Sequence, residues 1–336
     1  MKNEKNITIS KIAELCGISR QVASAVLLGK SGSVGFSKET KKRVEEVARI
    51  ANFRPNRTWL NATQNRHGTI GVLTKKIYSI PGSGNVSSII IEAKKYGFLV
   101  TFEIISDNET DLPQFIKENV VDGLLMFEDL GEELDEKIRQ FNIPAAYVNI
   151  NNFERPGCIN YDEAGLMKQL AKHFHKKGKK NIAFISASSA KYNDIRNEAL
   201  IKVCKKLKMP VPLSYGIINQ NIATGNYEPS YLEIEKFLNT NPQVDAIILE
   251  RDKFALNLYK VLEKMNRSIP KDVSVISIMS DPRISYLLEP HLTSCRLINN
   301  IESSAFGTKL LCESIEKRKS VKSHLLEYEI IERGSV

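Results

Sequence analysis

The 336-residue sequence has no apolar run of the roughly 18 residues that a membrane-spanning helix requires, and its polar beginning, MKNEKNITIS, lacks the apolar stretch of a secretion signal. These absences predict a chain that stays in the cytoplasm and has no membrane partner. Cysteine is sparse and unpaired: Cys16, Cys158, Cys204, Cys295 and Cys312 form no C-x-x-C and no Cys/His spacing of a zinc site. They read as reduced, mostly buried thiols. His173 and His175 stand two apart on a predicted helix and point in different directions, which argues against chelation. Phosphate-cradling glycine loops are missing too. GKS at 29–31 needs a glycine five residues before Gly29, where Ser24 stands, and GSG at 82–84 lacks the third glycine of a dinucleotide fingerprint. No Ser/His/Asp or Cys/His set stands out, so the sequence predicts no enzyme, no metal and no cofactor.

Charge is plentiful but unevenly placed. Of the net +9, residues 1–67 hold +8, from 13 Lys and Arg against 5 acids, while the remainder balances 35 cations with 34 acids. A basic segment on a near-neutral body predicts a polyanionic partner, because neutralising phosphates releases counterions and gives sequence-independent affinity. A solvated basic face without a partner is the plainer alternative. On length alone, about two or three domains are expected.

Within the basic segment, the apolar spacing of Ile9, Ile12, Ala13 and Leu15 predicts a helix capped by Thr8 and ended by Gly17. After a tight turn, Ser19 caps a second helix whose inward residues are Val22, Ala23, Val26 and Leu27. Arg20, Gln21 and Ser24 are left on or near its outward face. That is the layout of a helix-turn-helix, whose second helix enters the major groove front first. Arginine pairs bidentately with guanine and glutamine with adenine, while surrounding cations grip phosphates. A third helix starts at Ser37 and carries Glu39 where the helix dipole favours an acid. It clusters Lys38, Lys41, Lys42 and Arg43 near its start and buries Val44, Val47, Ala48 and Ala51.

From residue 69 the pattern changes. TIGVLT, FLVTFEII, GLLMF and AAYVNI read as strands separated by helices near 86–96, 111–119 and 132–142. NIAFIS, DAIILE and SVISI follow, with helices near 163–177, 194–208, 228–239 and 253–265. Two such sets imply two α/β lobes. Ligands of parallel sheets bind beyond the carboxyl ends of the strands, here between the lobes.

Residues 8–57, with TISKIAELCGISRQVASAVL, SKETKKRVEEVA and NFRPNR, resemble the DNA-binding head of the lactose/galactose repressor (LacI/GalR) family of bacterial transcription regulators. The resemblance continues, in the family's order, through GTIGVL, VDGLLM, INYDEAGLMKQLAKHFHKKGKKNIAFIS, IPKDVSVIS and IIERGS. It implies an all-α helix-turn-helix head over 1–57, a hinge over 58–67, and an α/β two-lobed, periplasmic-binding-protein-like body over 68–336. It further implies that LTSCRL and the helix from Asn299 to about Arg318 cross back to the first lobe, giving lobes of 68–160 with 290–325 and of 161–289.

The family reads bases with the residues that open the recognition helix, which carries over to Arg20 and Gln21. Ala25 falls where some members have a longer base-reading side chain. By resemblance the DNA contacts are Thr8, Ser19, Arg20, Gln21, Ser24, Lys41, Asn56 and Arg57. The family hinge presses an apolar residue into the minor groove. Ala62 holds that wedge position and is too short to hold a base step open; Leu60 or Trp59 substitutes if the hinge is rotated, or else Trp59 packs between head and body.

Five residues are effector candidates, Arg196, Arg251, Asp252 and Asp281 by resemblance and Tyr78 by its place after the first strand. Asp252, in RDKFA, matches the aspartate of the family's N-D-x-x-A, with Arg251 in place of the asparagine. Arg196, in YNDIRNEAL, lies where many members place an arginine on the effector. Near SVISIMSDP, Ile278 and Met279 replace the usual Tyr-Asp, and Asp281 matches across a gap. Tyr78 is placed to stack on a ring. Structural alternatives stand beside these: Asp252 as a helix N-cap, Arg196 as a surface cation, Asp281 as a turn residue before Pro282.

The function that unites these signals is a cytoplasmic, homodimeric repressor that binds a double-stranded, pseudo-palindromic operator and answers a small effector, by resemblance a carbohydrate. A small-molecule binding protein of the same body fold without DNA function is the alternative. It leaves the basic head unexplained.

Overall fold

The computed structural model describes residues 7–28, 34–53, 66–75, 85–106, 108–150, 155–187, 193–217, 228–298 and 302–336. The chain divides into two compact units, residues 1–69 with 119–122 and residues 70–118 with 123–336.

The first unit carries α1 (Ile9–Leu15), α2 (Arg20–Leu28) and α3 (Lys38–Ile50). Each begins at its sequence-predicted cap. Thr8 Oγ1 accepts the Lys11 N–H at 3.3 Å, Ser19 Oγ that of Val22 at 3.3 Å, and Ser37 Oγ that of Thr40 at 3.0 Å. Gly17, at φ +62°, takes the left-handed turn out of α1 that favours glycine. Ile12, Cys16, Val44 and Ala48 form the core, with Ile18, Val26, Leu27 and Val47 packed against it. The burial pattern departs from expectation at several positions. On α2 the buried residues are Ala23 and Ala25, while Val22, Val26 and Leu27 are half-buried, as are Val47 and Ala51 of the third helix region. Three short helices enclose too little volume to cover every apolar side chain, so the small residues take the closest approach and the larger ones flank it.

The first lobe of the second unit runs through β1 (Thr69–Thr74), α4 (Asn85–Lys95), β2 (Leu99–Ile104), α5 (Gln114–Lys117), β3 (Gly123–Met126), α6 (Glu132–Arg139), β4 (Ala145–Val148) and β5 (Cys158–Tyr161). The second lobe follows with α7 (Glu163–Lys176), β6 (Ile182–Ala187), α8 (Asn193–Lys206), β7 (Leu213–Ile217), α9 (Glu228–Thr240), β8 (Ala246–Leu249), α10 (Lys253–Lys264), β9 (Ser274–Ser277), α11 (Pro282–Ser285) and β10 (Thr293–Leu297). Then α12 (Ser303–Lys317) and β11 (His324–Leu326) return to the first lobe, and β12 (Tyr328–Ile331) to the second. The sheet orders are β11-β5-β4-β3-β1-β2 and β12-β10-β9-β8-β6-β7. In the second sheet every pair is parallel except β10 with β12.

Strand β6 shows why the sheets are covered on both faces. Ala183 and Ile185 join the core beneath α9 and α10, while Ile182 and Phe184 join that beneath α7 and α8. In the first lobe, Ile70, Val72, Leu125 and Val148 meet Ile89 of α4 and Leu311 of α12. The expectation that LTSCRL belongs to the first lobe is corrected. Thr293 and Ser294 pair in register with Ile276 and Ser277 of β9, and Cys295 fills the second lobe's core, so the chain crosses after β10 rather than before it. The helix near 111–119 shrinks to the single turn of α5, between Pro113 and the left-handed Asn119.

The lobes also share a phrase, VDGLLMFED at 121–129 and VDAIILERD at 244–252. The Asp of each pins the backbone entering the lobe. Asp122 accepts the amides of His67 and Thr69 at 2.7 and 3.2 Å, and Asp245 those of Lys180 and Asn181 at 3.0 and 2.7 Å. All five cysteines are buried and free, and burial pushes the thiols of Cys295 and Cys312 up to about 12. No helix among the described residues is long and apolar enough to cross a membrane.

Candidate functional site

The front of α2 presents Arg20 and Gln21 to solvent, with Ser24 half-buried one turn further on. Arg20 opens the helix, so its cation adds to the positive end of the helix dipole and to the amide N–H groups of the first turn. Ala25, only 4% exposed, packs inward and is not placed to read a base. Thr8 and Ser19 stay exposed while their hydroxyls cap helix N-termini, positions that suit backbone phosphates.

Lys38, Lys41, Lys42 and Arg43 are all exposed at the start of α3. Lys41 lies 3.7 Å from Glu45; among the described residues the other three have no carboxylate within ion-pair distance. Two other described cations of the head are compensated locally, Lys11 by Glu14 at 2.7 Å and Arg49 by Glu46 at 2.6 Å. Among the described residues, uncompensated positive charge thus gathers at the starts of α2 and α3. Asn56, Arg57, Trp59, Leu60 and Ala62 lie outside the described residues, as does Tyr78.

In the second lobe, polar side chains gather at the carboxyl ends of β6, β8 and β9. Asn193 Nδ2 donates to Ser186 Oγ at 3.1 Å and to the Ala187 carbonyl at 2.8 Å, which fastens the start of α8 to the end of β6. One turn later comes Arg196. It is not a surface cation: at 6% exposure, its Nε and Nη2 donate to Glu163 at 2.7 and 3.0 Å, and its Nη1 lies 3.7 Å from Glu250. Burial disfavours the charged guanidinium, but the Glu163 carboxylate outweighs it and holds the Arg196 pKa above its ordinary value. Glu250 in turn accepts the Ala187 N–H at 2.5 Å, and the half-exposed Arg251 reaches to 3.9 Å from it.

Asp252 is buried and accepts the Asp281 N–H at 2.6 Å, and its side chain caps no helix. Burial pushes its pKa up. Asp281 caps α11 through the Arg283 N–H at 2.9 Å and also accepts the Arg283 guanidinium at 3.0 and 2.7 Å, which lowers its pKa. The turn alternative therefore describes Asp281. Of the sequence candidates, Arg196 and Arg251 converge on Glu250, and Asp252 with Asp281 forms a separate link. Sequence reasoning missed Glu163, Glu250 and Asn193. An acid ending the apolar run DAIILE was the available signal for Glu250; Glu163 reads as an ordinary first-turn acid. The arrangement offers hydrogen-bond acceptors and a guanidinium, suited to gripping hydroxyl-rich groups.

A family model described as a periplasmic binding protein-like domain matches residues 171–336. Among curated relatives, catabolite control protein A of Staphylococcus xylosus is 24% identical, with 96% of this chain and 98% of the relative covered. The HTH-type transcriptional regulator RegA of Clostridium saccharobutylicum is 23% identical, with 98% of each covered. The fold resembles that of the lac repressor dimer bound to operator and the anti-inducer ONPF, with a TM-score of 0.72 at 19% identity over 98% of this chain and 99% of that one. It also resembles the CelR transcriptional regulator in its cellobiose complex, with a TM-score of 0.62 at 19% identity over 98% and 100%.

Proposed function

We propose, from the premise that this chain belongs to the lactose/galactose repressor (LacI/GalR) family of bacterial transcription regulators, that it is a sugar-responsive, DNA-binding repressor acting in the cytoplasm as a homodimer. It is a regulator rather than an enzyme. The observation that carries the reading is the exposed Arg20–Gln21 pair at the front of a capped second helix, inside a segment holding +8 of the chain's +9 charge. Arg20 and Gln21 read base edges, while Lys41 and its neighbours on α3 meet phosphates. The operator-bound relative supports this use of the head.

A homodimer needs an apolar face to cover. Ile90 and Ile91 on α4, with Leu99 and Ile104 on the edge strand β2, expose large aliphatic side chains that suit pairing with a second copy. The effector occupies the strand ends between the lobes, with Arg196, Arg251 and Asp252 on the second-lobe side. The relative described as a cellobiose complex supports a sugar as the effector. An effector that favours one lobe arrangement shifts the population toward it and so changes operator affinity.

Mobility-shift titration of the full chain against genomic fragments flanking its gene, at two salt concentrations, tests the reading. A saturable, salt-sensitive and sequence-preferring complex is expected, and a change in its affinity on adding the cognate sugar completes the case. Absence of any such complex overturns the regulator and leaves the binding-protein alternative.

A further inference from the structure

Arg196 is joined to the interlobe crossovers by a continuous run of side-chain contacts, buried but for the half-buried Tyr161. The main chain changes lobes at 161–163, after β10 ends at Leu297 and before α12 begins at Ser303, and at 326–328. These passages are bonded to one another: the Asp162 N–H donates to the Leu326 carbonyl at 2.8 Å, and the Ile298 N–H to the Glu327 carbonyl at 3.0 Å. Tyr161 Oη and Ser303 Oγ are 2.7 Å apart, and the Tyr161 ring meets that of Tyr328 edge-on at 5.8 Å between centroids. Tyr328 Oη donates to Glu163 at 3.5 Å. Glu163 is the same carboxylate that holds both arms of Arg196, whose third nitrogen faces Glu250 at the strand ends. One buried carboxylate therefore touches both the polar cluster at the second-lobe strand ends and the interlobe crossovers.

We propose that Glu163 is a positioning residue that makes order at the crossovers 161–163 and 326–328, and at Ile298 bonded to them, depend on how Arg196 is engaged. The proposal rests on the reading that the effector binds at the second-lobe strand ends. A ligand hydroxyl that draws the guanidinium toward Glu250 loosens its hold on Glu163, and Glu163 passes the change to Tyr328 and Tyr161. Charge makes this link stiff, because a buried carboxylate that loses its cation is strongly disfavoured and seeks another partner at once.

Amide hydrogen exchange on the full chain, with neither DNA nor effector present, tests it. Glu163→Gln is expected to speed exchange about tenfold in the peptides containing Asp162 and Ile298. Asp135→Asn, which takes the charge out of the first lobe's own buried contact with Arg155 at 2.9 Å, leaves those peptides unchanged. Tyr328→Phe removes a single O–H, remains usable if the Gln variant fails to fold, and is expected to speed the same peptides about threefold. Tyr161→Phe combined with Tyr328→Phe gives less than the product of the two single effects if the residues act in one line. Crossover exchange unchanged in Glu163→Gln and Tyr328→Phe, or a combined effect equal to the product, overturns the proposal. Either result leaves the regulator reading standing, and failure of DNA binding leaves the exchange result intact.

Discussion

Arg20 and Arg196 both belong to the first turn of a helix, yet the molecule uses them in opposite ways. Arg20 is exposed at the front of α2 with no carboxylate in ion-pair distance among the described residues, in a segment whose charge is unbalanced. Arg196 is buried at the front of α8, held by Glu163 on one side and facing Glu250 on the other, in a body close to neutral. A cation left in water keeps its field for an outside partner. A cation taken inside must be compensated on the spot, and its worth lies in what its removal disrupts.

The largest effect expected from this contrast falls on stability. Arg196→Met leaves two buried carboxylates facing each other without their cation, and urea unfolding should show a loss of about 3–5 kcal/mol. Arg20→Ala should change the same curve by no more than about 0.5 kcal/mol. Equal losses in the two variants would erase the distinction between the regions.

Second in size is an effect on recognition, where the order reverses. Arg20→Ala should lower the preference for the best operator over random DNA by about 1–3 kcal/mol, measured by competition titration. Ser24 and Gln21 stay in place in that variant, so an unchanged ratio means that Arg20 reads no base edge.

The contrast also explains what could be read in advance. Caps at Thr8, Ser19 and Ser37 are local chemistry within four residues of chain, and each was found where the sequence put it. The long apolar runs TIGVLT and NIAFIS became β1 and β6, because both faces of those strands are buried and the run needs no partner to be recognised. The strands β5, β7, β11 and β12 were not legible. β7, β11 and β12 lie at sheet edges, where fewer buried residues mark a strand, and β11 and β12 pair with partners far along the chain, as with Cys295 against Ile330. The same holds at the site. Glu163 and Arg196 are 33 positions apart, and nothing at either position announces the other. Exposed charge is legible because it acts alone; buried charge is defined by its partner.

A smaller test uses protons. Burial raises the folded pKa of Asp252 above 3.8, so the folded state binds that proton more tightly than the unfolded chain does, and stability falls as pH rises through the window above 3.8. Asp252→Asn keeps an acceptor oxygen for the Asp281 N–H and removes the titration. Unfolding midpoints across that window should therefore decline less steeply in the variant. Asp281 works in the other direction: its pKa is lowered by Arg283, so its contribution is present above 3.8 and is lost as pH falls through its folded value. An unchanged slope in Asp252→Asn would mean that the buried end of the site carries no electrostatic cost.

The smallest effect returns to the head. Lys41 lies 3.7 Å from Glu45 along one face of α3, an exposed pair of the kind worth only about 0.3–0.5 kcal/mol. A DNA phosphate, with its released counterions, competes successfully for such a lysine. Lys41→Ala should then weaken binding to all DNA alike and reduce the slope of log affinity against log salt by about 1. Glu45→Gln frees the lysine beforehand, and a gain of about twofold for every sequence is expected from the pair's small worth. If Lys41→Ala instead alters which operator is preferred, the division of labour inside the head is wrong: α3 reads bases as well as gripping the backbone, and the exposed cations form one reading surface with Arg20.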